Sequence, residues 1–190
     1  MQSEIRLLDK TFSPYLAEDK IMARIDVLAN ELQRDYSNKE VVFLSVLNGA
    51  FMFTSDLMKS LDINLEISFV KLSSYDGTKS SGVVRELIGL NNKIKDRHVV
   101  ILEDIVDTGR TVDRLIELLK PKGAGSIEVC TLLFKKSAFE GKEVPKYVGF
   151  EIPNKFVVGY GLDYDEAGRN IKELYQSVSY THLTLPTRDD

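Results

Sequence analysis

The chain has 190 residues, 43% of them hydrophobic and 28% charged, and its 25 basic residues against 29 acidic ones leave a formal charge of −4. That length suits one domain, and a chain of this size removes roughly 70% of its unfolded surface from water, so a core can form without metal or disulfide staples. The balance excludes disorder, collagen-like repeats and a coiled coil, gives no basic footprint for nucleic acid, and leaves no apolar run near the ~20 residues that a bilayer crossing needs.

Ile21, Ile25, Leu28 and Leu32 recur at helical spacing and predict an amphipathic helix over 18–35. The run 41–47 is short, nearly continuous and rich in β-branched residues, as suits a strand covered on both faces of a parallel sheet. Asn48-Gly49 breaks it, a helix is predicted over 50–60, and the alternation over 65–72 predicts the next strand. Residues 73–82 are small and polar with two glycines, which reads as a loop. A second buried-strand run covers 98–102, and Val112, Leu115, Ile116 and Leu119 then share one helical face that Pro121 and Gly123 end. Strand candidates over 127–134 and 156–160 complete the list. Strands alternating with helices predict an α/β fold with a mainly parallel sheet flanked by helices.

The strongest chemical signal is V-V-I-L-E-D-I-V-D-T-G-R-T at 99–111. A buried strand delivers two adjacent carboxylates, Glu103 and Asp104, and a short loop with Asp107, Thr108 and Gly109 leads into a helix at once. Ligands of open α/β sheets bind beyond the carboxyl ends of the strands. A helix N-terminus favours a phosphate through its unpaired N–H groups and dipole, with the Thr108 and Thr111 hydroxyls as further donors. Glu103 and Asp104 instead suit sugar hydroxyls or a hard cation such as Mg²⁺. A phosphorylated ribose has that layout. The competing reading is that Asp107-Thr108 only caps the helix. No Walker A string and no G-x-G-x-x-G occurs.

E-D-I-V-D-T-G-R-T after V-V-I-L resembles the phosphoribosyl-pyrophosphate loop of the purine phosphoribosyltransferases, in the form found in the bacterial hypoxanthine (hypoxanthine-guanine) branch. Four other segments agree in order and spacing. V-L-N-G-A at 46–50 is similar to the family's pyrophosphate loop, S-S-Y at 73–75 to its flexible catalytic loop, L-L-F-K at 132–135 to the segment with a purine-contacting lysine, and 148–164 to the base-binding stretch. The likeness covers roughly 5–171. It implies a type I phosphoribosyltransferase-like fold, a twisted parallel sheet with a small hood and a flexible catalytic loop. The implied reaction is Mg²⁺-dependent displacement of pyrophosphate from ribose C1 by a purine nitrogen, a pentosyl transfer yielding IMP or GMP in purine salvage.

By that resemblance Asp107 is the general base on the purine ring, and Ser74 and Tyr75 belong to the loop that closes over the site to exclude water. Asn48 and Gly49 present backbone N–H groups to pyrophosphate, at a peptide bond (Asn48-Gly49) that the family can hold cis; the lysine often found before this glycine is replaced by Asn48. Thr108, Gly109, Arg110 and Thr111 cradle the phosphate. Lys135 takes the 6-oxo group, Phe156 stacks on the base and Val157 offers backbone groups to its edge. Glu103, Asp104 and Asp163 are the metal and sugar carboxylates, and Arg169 clamps pyrophosphate. From the residues alone, Lys136 competes with Lys135, Phe156 also reads as core, Arg169 as a surface arginine, and the 73–82 loop as plain connection.

The implied partners are phosphoribosyl pyrophosphate and a 6-oxopurine, in a cytoplasmic homodimer or homotetramer, with no nucleic acid and no membrane. The N-terminus lacks a signal-peptide pattern, and the one cysteine, Cys130, cannot form an internal disulfide. His98 and His182 have no spacing that makes a zinc site. Residues 1–175 are expected to form the domain; from about 176 the sequence leaves the family pattern and reads as an atypical tail, and Ala167-Gly168 also replaces bulkier residues. The alternative function is a phosphoribosyltransferase-like regulator that senses nucleotides and binds nucleic acid, which the net charge and the absence of a Lys/Arg cluster disfavour.

Overall fold

Ten strands and three α-helices form among the residues described by the computed structural model, namely 3–71, 87–88 and 94–178. In chain order they are β1 (Ile5–Leu7), β2 (Lys10–Leu16), α1 (Glu18–Tyr36), β3 (Val41–Leu47), α2 (Phe51–Ser60), β4 (Leu65–Lys71), β5 (Leu87–Ile88), β6 (His98–Val106), α3 (Arg110–Leu119), β7 (Ser126–Phe134), β8 (Tyr147–Glu151), β9 (Val157–Val158) and β10 (Leu174–Ser177). Five parallel strands run in the order β4-β3-β6-β7-β8, and short β5 pairs antiparallel with β4. The α/β class read from the alternating pattern is the one observed.

Both faces of this sheet are covered, which is why β3 and the first half of β6 read as nearly continuous apolar runs. On one face Ile21, Ile25, Leu28 and Leu32 of α1 and Phe53 and Leu57 of α2 meet Val100, Leu102 and Cys130. On the other, Val112, Leu115, Ile116 and Leu119 of α3 meet Val99, Ile101 and Val129. Each such side chain, taken fully out of water, contributes about 1.5–3 kcal/mol. Arg24 of α1 fixes the outer strand: its Nε and Nη2 donate to the carbonyls of Gly149 and Val148 at 2.7 and 2.6 Å.

A second, antiparallel sheet of order β1-β2-β10-β9 forms the small hood. Phe12, Val158 and Tyr175 make its own apolar cluster, while Val157, Tyr160, Leu162 and Leu174 join the main core. The 156–160 stretch is strand only at Val157–Val158, because Gly159, Tyr160 and Gly161 take φ of 93°, 47° and 96° and turn the chain. It therefore belongs to the hood and not to the main sheet. β6 extends to Val106, so the two acids lie within the strand, short of its end. Strand β10 runs to Ser177 and the Val178 N–H donates to the Thr11 carbonyl at 3.0 Å, so the segment read as a tail from about 176 begins inside the hood sheet. Its remainder, from 179, lies outside the described residues. Among the described residues no helix is long and apolar enough to cross a membrane.

Candidate active site

Beyond the carboxyl ends of β6 and β7 lies a cleft of about 220 Å³. Asp104, Ile105 and Asp107 border it from the β6 side, Lys135 from the end of β7, and Phe156, Val157, Leu162 and Asp163 from the hood. The open end of a parallel sheet is thus where the sequence pattern places it.

Lys135 follows the last apolar residue of β7 and is buried, 7% exposed. Burying an ammonium requires a partner, and the Lys135 Nζ donates to Asp107 Oδ2 at 2.7 Å. Lys136 points outward, where Glu151 is 3.6 Å away. Of the two lysines it is Lys135 that reaches the cleft.

The same ion pair decides how Asp107 is used. Helix α3 starts at Arg110 with Gly109 as its N-cap at φ 84°, and no side chain caps it. The carboxylate of Asp107 is turned to Lys135, so the capping reading is not realised, and among the described residues the first-turn N–H groups have no side-chain acceptor. Thr108 is half-buried, while Arg110 and Thr111 are exposed beside this turn. Arg110 lies 3.4 Å from Glu140, an exposed pair of little energetic weight.

Neighbouring strand residues point to opposite faces. Asp104 reaches the cleft; Glu103, 5% exposed, does not border it. Burial pushes the Asp104 carboxyl up to about 6, against the pull of the Ile105 N–H that donates to its Oδ1 at 2.9 Å. Glu103 is also raised, first by burial and then by the neighbouring Asp104. Carboxyls shifted by burial and by a neighbouring charge beside a cleft are characteristic of functional sites.

Gly49 sits against Asp104. A methyl group on Gly49 would strike Asp104 Oδ2 and lie 2.6 Å from its Cγ, and one on Gly161 would strike the Gly49 carbonyl oxygen. The loop after β3 is held between the acid and the hood turn, where only glycine fits. The cis peptide is Leu47–Asn48, one bond earlier than the sequence expectation, and Asn48 is exposed.

Arg169 joins the hood turn to the site. Its Nη1 donates to the Gly161 carbonyl at 2.9 Å, its Nη2 pairs with Asp163 Oδ1 at 2.8 Å, and its buried Nε has no hydrogen-bond partner. It is not a loose surface arginine. Phe156 is 45% exposed and so is not a core residue. Its ring stands edge-on to Tyr164 at 5.9 Å and tilted to Phe12 at 6.3 Å.

Asp104, Asp107, Lys135, Phe156, Val157 and Asp163 therefore meet at one cleft, with Gly49 and Arg169 joined to it through Asp104 and Asp163. Ser74 and Tyr75 lie outside the described residues. Sequence reasoning missed Ile105 and Leu162, which looked like ordinary core, and the Tyr160 hydroxyl that donates to Asp56 Oδ2 at 2.5 Å, tying the hood turn to α2. The Gly159-Tyr160-Gly161 string was the available signal for that turn. His98 is bonded to Ser126 at 2.7 Å, and Cys130 is buried with its thiol pushed up by burial.

Residues 13–165 match the family of phosphoribosyl transferase domains. A hypoxanthine-guanine phosphoribosyltransferase of Lactococcus lactis is 42% identical over 166 residues, covering 86% of this chain and 90% of that protein. The chain is likewise 42% identical over 157 residues to the bifunctional protein TilS/HprT of Listeria monocytogenes, but spans only 24% of that longer protein. A crystal structure of a hypoxanthine phosphoribosyltransferase from Staphylococcus aureus superimposes with a TM-score of 0.80 at 40% identity, covering 87% of this chain and 91% of that one. Sequence and architecture agree over most of the chain, which belongs to the phosphoribosyltransferase family.

Proposed function

We propose that the chain is a purine-salvage enzyme that transfers the 5-phosphoribosyl group from phosphoribosyl pyrophosphate to hypoxanthine or guanine, releasing pyrophosphate. The observation that carries this reading is the Lys135–Asp107 pair at 2.7 Å inside the cleft. It joins the phosphate-type loop to the strand end beside Phe156, so a sugar phosphate held by the loop and a base held against Phe156 would meet across it.

The roles follow from charge and position. The N–H groups at the start of α3 would receive the sugar phosphate, with Thr108 and Thr111 as further donors. Asp104 accepts ribose hydroxyls, while Glu103, on the other face of β6, takes no part at the cleft. The Lys135 ammonium can donate to a 6-oxo group, where adenine offers only an amino donor. When the base draws Lys135 toward that oxygen, the carboxylate of Asp107 is left to take the ring proton as nitrogen attacks C1. Phe156 supplies the stacking face and Val157 backbone groups for the base edge. Departing pyrophosphate develops negative charge near Asn48, Gly49 and Arg169, whose guanidinium fork suits phosphate oxygens.

Asp104 and Asp163, two carboxylates on one cleft, fit the one- or two-carboxylate donor set that Mg²⁺ completes with substrate phosphates. The described residues contain no cluster of three or more ligating side chains, so the site is not a self-sufficient protein cage. Bound there, Mg²⁺ would neutralise charge on the leaving pyrophosphate. Assembly as a homodimer or homotetramer in the cytoplasm belongs to the same proposal and rests on the resemblance.

Replacing Asp107 with Ala tests the reading. Turnover should fall by about 10²–10⁴-fold, the usual contribution of a positioned base, with KM for both substrates little changed. An unchanged kcat removes Asp107 from the mechanism.

A further inference from the structure

After β7 delivers Lys135 to the cleft, the chain turns through a short 3₁₀ segment, Lys136–Ala138, and does not return to the sheet until β8. This exit runs beside the loop between β6 and α3 and is bonded to it along its length. The Lys135 N–H donates to the Val106 carbonyl at 2.9 Å and the Glu140 N–H to the Thr108 carbonyl at 3.0 Å. Farther on, the Lys142 N–H donates to both carboxylate oxygens of Asp113, in the first turn of α3, at 2.9 and 3.1 Å.

Between those bonds the ring of Phe139 fills the space over Gly109. A Cβ on Gly109 would strike Phe139 Cε2 and lie 3.0 Å from Cδ2; a Cβ on Gly141 would lie 2.8 Å from Cε2 and Cζ and 3.3 Å from the Gly109 Cα. Behind, the ring stands edge-on to Phe134 at 5.3 Å, so it is backed by the end of β7. Gly109 takes φ 84°, a left-handed conformation that an unsupported glycine leaves readily. The turn whose N–H groups must converge on a phosphate is thus the turn against which Phe139 is wedged.

We propose that Phe139 is a positioning residue for the phosphate loop. Its ring holds the Gly109 turn so that the N–H groups at the start of α3 point at one phosphate group, while the ring itself touches no substrate. This rests on the reading that the loop binds the sugar phosphate. A merely structural role would make Phe139 matter for melting and leave phosphate affinity alone.

The test is calorimetric binding of ribose 5-phosphate to the full chain, with KM values for phosphoribosyl pyrophosphate and hypoxanthine and a melting temperature for each variant. Phe139→Ala should weaken ribose 5-phosphate and raise the donor KM by about tenfold, a change of about 1.4 kcal/mol, with the hypoxanthine KM within about twofold. Gly141→Ala, which drives a methyl into the ring, should do the same, and adding Phe139→Leu, which draws the side chain back, should restore binding to within about threefold. If Phe139→Ala fails to fold, the Gly141→Ala and double-variant arms carry the test. Unchanged ribose 5-phosphate affinity, an equal rise in both KM values, or no restoration in the double variant overturns the proposal. A wild-type chain that binds ribose 5-phosphate but turns over no purine refutes the salvage reading and leaves the Phe139 comparison intact; one that binds none overturns both.

Discussion

Asp104 is held out of water with its carboxyl pushed up to about 6 from an ordinary 3.8. The folded chain therefore keeps a proton there over a range in which the unfolded chain has released it. The contribution of Asp104 to stability falls as pH rises from about 4 to about 6, by roughly 3 kcal/mol in all, and Glu103, also raised by burial, adds to the same slope. Asp104→Asn should therefore gain stability relative to wild type as pH rises through that window, measured by urea unfolding at pH 4 and pH 7. A difference that does not change with pH would show that Asp104 titrates normally. Gly49 is tied to the same carboxylate: Gly49→Ala forces a methyl into Asp104, so overpacking, which typically costs the fold about 1–3 kcal/mol, should lower the melting temperature and, by displacing the loop, raise the donor KM. A normal donor KM would mean that the loop yields without consequence. At this scale the sequence was informative where chemistry is local: adjacent acids ending an apolar run, a Gly beside a Thr before a helix. It could not show that Lys135 would pair with Asp107, 28 positions away, nor that Phe139 would meet Gly109, because those contacts depend on how β6 and β7 are set side by side.

Among the elements, β3, β4, β6 and β7 were legible, and of the hood only the stretch 156–160 was read as a strand. β3, β6 and β7 announce themselves as short runs dominated by apolar residues because helices cover them on both faces. β1, β9 and β10 are two to four residues long, too short for a periodicity to develop. β2 carries Pro14, tolerated because it pairs where the register with β10 shifts between Leu174 and Tyr175. The position of β10 changes how the C-terminal segment reads. Gln176 pairs with Val157 and Ser13, and the Ser177 and Val178 N–H groups donate to Phe156 and Thr11 at 2.9 and 3.0 Å. A chain ending at Tyr175 loses these bonds. At about 1 kcal/mol each it should melt roughly 4–8 °C lower, with a weaker hypoxanthine KM because the Phe156 carbonyl loses its partner. Unchanged melting in a scan of both chains would show that β10 beyond Tyr175 adds nothing to the fold.

Over the whole molecule, two sheets of different kind meet at one cleft. The parallel sheet supplies Asp104, Asp107 and Lys135 from strand ends; the antiparallel hood supplies Phe156, Val157 and Asp163. The carboxylates and ammonium of the doubly covered layer thus border the same cleft as the aromatic ring and Asp163 of the small layer with its own apolar cluster. The class of fold and the succession of the main strands and helices along the chain could be read from hydropathy, but the hood as a separate sheet could not, since its strands come from the two ends of the described chain and acquire meaning only when they pair. The ammonium of Lys135, placed to donate and not to accept, makes the choice of base the most direct consequence of the arrangement. The decisive measurement is a steady-state assay with Mg²⁺, phosphoribosyl pyrophosphate and each of hypoxanthine, guanine, xanthine and adenine. Nucleoside monophosphate should form from hypoxanthine or guanine with release of pyrophosphate and not from adenine; turnover of adenine without hypoxanthine, or of no base at all, would contradict the account.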